Sequence, residues 1–120
     1  MWKNFNILLL LIFVQTQPVY ANKTLEPPVS NEVLILYDSA GDNGWVGYLN
    51  SLFLANLIGH FNFVVTHHPV EEYTPNELEK YHTTFYLGSH YNNLLPTSFI
   101  NDTLHTHRNM VWFRYNFEQL

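Results

Sequence analysis

The chain has 120 residues, of which 47% are hydrophobic and 12% charged; that is room for one domain with a modest core, and the balance excludes a disordered or collagen-like chain. Five Lys and Arg against ten Asp and Glu, a net charge of -5, argue against nucleic acid as a partner, since phosphate contact needs a basic footprint. There is no Cys, which excludes disulfides, thiolate zinc sites, cysteine nucleophiles and lipid-modified cysteine.

Met1–Ala21 has the pattern of a secretory signal peptide. Lys3 supplies the positive start, Ile7–Val14 the apolar run, and Val19-Tyr20-Ala21 a small-residue cleavage pattern. The apolar run is well short of the roughly 20 residues that span a bilayer, so no stable membrane span is expected after cleavage. The expected destination is periplasmic or extracellular. Residues 22–32 form a polar lead-in in which Pro27-Pro28 favours extended chain, read here as a linker.

The folded module is expected over 33–120. Val33–Tyr37 is an unbroken apolar run ending on Asp38, the pattern of a strand buried on both faces. A glycine-rich turn follows, and Tyr48–Ile58 is apolar nearly all round, which suits a buried helix closed by Gly59. Phe61–Thr66 reads as a second strand ended by His67-His68-Pro69. Thr74-Pro75-Asn76-Glu77 has the form of a capping box and predicts a short surface helix to about Tyr81. Thr83–Leu87 is a third strand. Pro96 opens a third helix with Phe99, Ile100, Thr103 and Leu104 inward, and Met110–Tyr115 is a fourth strand. Asn116 is placed to cap a further turn at Phe117–Leu120. The alternation predicts an α/β fold, a Rossmann-like or flavodoxin-like parallel sheet of about four strands with flanking helices. A fourth buried strand without a covering helix suggests an incomplete domain, the front of a longer protein.

In such a sheet, ligands bind at the carboxyl ends of the strands. Asp38, Ser89 and Asn116 follow the first, third and fourth strands and are expected to converge there, with Trp45 as a stacking platform. The other reading is that Asp38 and Ser89 bond loop amides. Gly41, Gly44 and Gly47 lack both the G-x-G-x-x-G and the P-loop pattern; they form either an amide nest for an anion or a turn that needs positive φ. The candidate ligand set is therefore Asp38, Gly44, Trp45, Ser89 and Asn116. The seven His show no metal-ligand spacing: adjacent His67 and His68 point to opposite faces of a strand, and His105 and His107 do not share a helical face. Glu71, Glu72, Glu77 and Glu79 read as a solvated face. No catalytic residue, metal site or cofactor is expected in this segment.

Serial phrases of the chain resemble a known family. These are V-L-I-L-Y-D (33–38), G-W-V-G (44–47), L-A-N-L-I-G-H-F (54–61), Y-L-G-S (86–89), Y-N-N-x-L-P (91–96) and V-W-F-R-Y-N (111–116). Together they resemble the N-terminal region of secreted bacterial proteins of unknown function related to polysaccharide deacetylases. The resemblance implies a Rossmann-like or flavodoxin-like module here and a deacetylase-like barrel with Asp and His metal ligands further along. No such catalytic segment is in this sequence. Two functions follow as expectations: an exported, non-catalytic module of a deacetylase-like protein, whose partner is that missing domain, or a stand-alone extracytoplasmic module binding a small polar or glycan ligand.

Overall fold

The computed structural model describes residues 31–120. The signal peptide and all but the last two residues of the lead-in lie outside the described residues. Six regular elements follow in order: β1 (Glu32–Tyr37), α1 (Gly44–Gly59), β2 (Val64–Pro69), β3 (Thr83–Gly88), α2 (Thr97–His105) and β4 (Asn109–Arg114). The strands form one sheet in the order β2-β1-β3-β4, and every pairing is parallel. This is an α/β fold of the flavodoxin-like or Rossmann-like kind, with β1 flanked by β2 and β3.

The apolar run of β1 dictates its place. Strand side chains alternate between faces, and β1 has something to bury on both. Leu34 and Leu36 pack with Val70, Tyr73, Leu78, Tyr86, Leu95 and Phe99. Val33, Ile35 and Tyr37 pack with Leu87 and with Leu54, Ala55 and Ile58 of α1. The two helices therefore cover opposite faces of the sheet. On the α2 face the aromatic rings close up: Tyr86 and Trp112 are in close contact with centroids 4.3 Å apart, and Phe99 stacks on Trp112 at 5.7 Å, a separation at which ring pairs attract. On the α1 face, Phe85 of β3 stacks on Phe113 of β4 at 6.4 Å, yet Phe113 stays 43% exposed. Here α1 leaves an open apolar groove of about 340 Å³ lined by Phe53, Leu54, Leu57, Leu87 and Phe113.

Several boundaries differ from expectation, each for a local reason. Glu32 belongs to β1, paired with Val64, rather than to a linker. The second strand runs Val64–Pro69 and not 61–66, because Asn62 takes φ 61° in the turn after α1. His67, His68 and Pro69 thus lie inside it. Proline is tolerated there because β2 is an edge strand. The helix expected over 74–81 is a single 3-10 turn, Glu77–Lys80, and a separate one at Val70–Glu72 precedes it. Asn76 at φ 62° prevents helical entry, and only half the capping box forms: the Glu77 carboxylate accepts from the Thr74 amide at 3.0 Å, while the Glu77 amide donates to the Thr74 carbonyl. Gly59 ends α1 without positive φ, and Leu104 is exposed rather than inward. The last residues, Phe117–Gln119, form a 3-10 turn, and Asn116 at φ 72° turns its side chain inward instead of capping it.

Candidate functional site at the carboxyl edge of β1 and β3

Asp38 ends the central strand and is fully buried. Its carboxylate accepts five hydrogen bonds. Oδ1 takes Tyr86 Oη at 2.6 Å and Asn93 Nδ2 at 3.1 Å. Oδ2 takes the Ser89 amide at 2.9 Å, the His90 amide at 3.1 Å and Asn116 Nδ2 at 3.3 Å. A buried carboxylate without such donors would be costly, and a set this complete holds its charge in place. The amide of Asp38 donates to Leu87 O, and its carbonyl accepts from Ser89 Oγ. One residue thus ties together β1, the loop after β3 and the end of β4.

Asn116 completes the knot. Its Nδ2 faces three acceptors, namely Asp38 Oδ2, Tyr86 Oη at 2.8 Å and His90 O at 3.1 Å. Turning the amide round would point Oδ1 at those oxygens, so the orientation is fixed by its partners. Tyr86 donates to Asp38 and accepts from Asn116. Burial above all, with the bond to the Asp38 carboxylate next, pushes the Tyr86 hydroxyl well above its ordinary pKa, against a smaller opposing effect of Asn116. Gln119 secures the next loop: its Nε2 donates to Asn93 O at 2.7 Å, and its Oε1 accepts from the Leu95 amide.

The structure therefore brings Asp38, Ser89 and Asn116 together, but with their polar atoms turned on one another. Gly44 joins the edge through space: a Cβ there would run into the Ser39 carbonyl, and one on Gly47 would meet the Asp38 carbonyl and Ser89 Oγ. Gly41 takes φ 70° beneath the His90 ring. Trp45 stands apart, 64% exposed on the outside of α1. Residues that carry the edge without having been expected are Tyr86, His90, Asn93 and Glu71. Period-two alternation in β3 puts Tyr86 on the same face as Leu36, a signal that the sequence does contain.

At the rim, Glu71 accepts from the Ser39 amide and Oγ and shares Asn93 Nδ2 with Asp38. Beside it Tyr37, Tyr48 and His67 form a ring cluster with centroids 5.9 to 6.3 Å apart. Burial, then the nearby Tyr48, Glu72 and Glu71, raises the Tyr37 pKa. Ser51 touches His67 Nδ1 at 3.2 Å but donates its single hydrogen to Tyr48 O at 2.7 Å. It must therefore accept from the imidazole, which is the reverse of what an activated serine nucleophile requires.

The acidic residues do more than face solvent. Glu77 binds His68 Nε2 at 2.8 Å, and Glu79 pairs with Arg108 at 3.5 Å. Asp102 of α2 accepts from Tyr73 Oη at 2.8 Å and from the Asn76 amide, and burial followed by that bond raises the Tyr73 pKa strongly. Among the described residues no group of three or more His, Cys, Asp or Glu is placed to hold a metal ion, and no helix is long and apolar enough to cross a membrane.

Strand order and switch point define the class as a flavodoxin-like or Rossmann-like α/β module with its polar knot where that class binds ligands. Beyond the class, no family model, curated protein or solved structure matches the chain.

Proposed function

We propose that the chain is a non-catalytic α/β module of an exported protein resembling polysaccharide deacetylases. The observation that carries the non-catalytic part is Asp38. It is the best-placed carboxylate on the sheet edge, yet it is buried and occupied by five donors from its own chain. A general acid or base must reach a substrate proton, and this carboxylate has no free approach. Ser89 and Asn116 serve the same knot, and Ser51 donates away from His67. The export and deacetylase-like parts rest on the Met1–Ala21 pattern and on the phrases between Val33 and Asn116. The metal chemistry of such a protein would belong to a separate domain.

The second reading, a module that binds a small polar or glycan ligand, is favoured by one feature. Ser39 and Glu71 stand exposed on the rim above the knot, and Trp45 offers an open ring on the neighbouring helix.

The test is to incubate the purified chain with acetylated oligosaccharides and divalent cations, following acetate release and the melting temperature. The expected result is no release and no saturable shift. Release of acetate overturns the non-catalytic reading. A saturable shift abolished by Trp45→Ala replaces it with the binding reading. N-terminal sequencing of the product from expressing bacteria is expected to begin at Asn22; a cell-retained product beginning at Met1 overturns export.

A further inference from the structure

We propose that the outer face of α1 is a self-association surface, on which a second copy of this chain packs helix against helix. The inference does not rest on the non-catalytic reading above, but it covers Trp45, the ring on which the ligand-binding alternative depends. α1 contains no charged side chain along its whole length, Gly44–Gly59. Apart from exposed Asn50 and Asn56 and buried Ser51 it is apolar all round; such a helix belongs in an interior, yet only one side of this one is covered. Leu54, Ala55 and Ile58 reach the core. Trp45, Tyr48, Leu49, Leu52, Phe53 and Leu57 remain between 37% and 70% exposed.

Size decides first. The exposed side chains continue into the groove at Phe113, and four aromatic residues and three leucines, each 37% to 70% exposed, offer on the order of 600–800 Å², close to one partner's share of a standard interface. That is more apolar surface in one piece than a monomer ordinarily leaves in water.

Charge then selects the occupant. A two-fold interface places each patch against itself, so any net charge in it repels. This patch has none on the helix and only Arg114 at the groove. Glu77, Glu79 and Asp102 lie with the α2 side of the sheet. A helix lying on a lipid surface would instead carry Lys or Arg along its flanks, and α1 carries neither. Trp45, Leu49, Leu52 and Phe53 follow three- and four-residue spacing, the rows along which helices interlock.

Sedimentation velocity of the purified chain across a micromolar concentration series tests this. The expected result is a reversible monomer–dimer equilibrium. Phe53→Glu and Leu57→Glu, both at exposed positions, are each expected to weaken it by at least about tenfold with an unchanged far-ultraviolet circular dichroism spectrum. Leu94→Glu, at a position 86% exposed in the loop after β3, is expected to leave the dimer intact. Quenching of tryptophan fluorescence by acrylamide should fall as concentration rises, since Trp45 becomes covered. A wild-type chain that stays monomeric throughout overturns the proposal, whether it remains free or binds lipid vesicles. So does a dimer that both α1 substitutions leave unchanged.

Discussion

Asp38 shows how one side chain determines the state of a whole sheet edge. Its five donors come from five residues beyond β1, so its charge is useful only when all of them are assembled. Asp38→Asn keeps the shape but turns an NH2 group toward donors in either orientation, leaving buried groups unpaired. The expected loss is about 3 kcal/mol, because hydrogen bonds to a buried charge exceed neutral ones, measured by urea denaturation. Tyr86→Phe removes one donor to the carboxylate and one acceptor for Asn116 and should cost about 1–2 kcal/mol. The same hydroxyl predicts an alkaline limit. The folded-state pKa values of Tyr86 and Tyr73 are raised above the unfolded value of about 10. The folded state then holds protons that the unfolded state has released, so their contribution is full below pH 10 and declines as pH rises beyond it. Stability should therefore fall above about pH 10, with the phenolate absorbance of these residues appearing together with unfolding rather than before it.

At the scale of elements, glycine positions separate two kinds of constraint. Gly47→Ala would drive a methyl group into the Asp38 carbonyl and to 2.9 Å from Ser89 Oγ, in the tightest part of the knot. A loss of about 2 kcal/mol or more is expected. Gly59→Ala meets nothing within 4 Å and lies in the helix, so it should stabilise by about 0.5–1 kcal/mol; thermal melts of the two variants should move in opposite directions. The strands were the legible part of the sequence: Val33–Tyr37 and Thr83–Leu87 are bounded within one residue, because burial on two faces leaves a continuous apolar run. Three of the misjudged segments are those where an asparagine takes positive φ. Asn62 delays β2, Asn76 breaks the helix at 77, and Asn116 turns inward. Asparagine is compatible with both caps and left-handed turns, so its letter alone does not choose. The site was legible to the extent that strand ends announce it. Asp38, Ser89 and Asn116 do meet, but that their polar atoms face one another depends on Tyr86 and Asn93, which arrive from the third strand and its loop.

At the scale of the molecule, the two faces of the sheet are unequally finished, and this makes their energetics separable. The α2 face is closed: Phe99 is fully buried against Tyr73, Tyr86 and Trp112. Phe99→Ala should cost about 3–5 kcal/mol at any protein concentration, since the cavity forms inside one copy. The α1 face is open, and Phe53 is 70% exposed in a single copy. Within one copy, then, Phe53→Ala loses little burial and should move stability by less than about 0.5 kcal/mol. If two copies cover that face, association stabilises the folded state by mass action and makes the melting temperature depend on concentration. The expected pattern is therefore a wild-type melting temperature that rises with concentration, a Phe53→Ala curve that loses the dependence and meets wild type at dilution, and a Phe99→Ala curve displaced downward throughout. Melts of the three proteins over a dilution series give the comparison directly. Parallel behaviour of wild type and Phe53→Ala at every concentration would mean that the uncovered side of α1 contributes nothing between copies, and that only the α2 face governs stability.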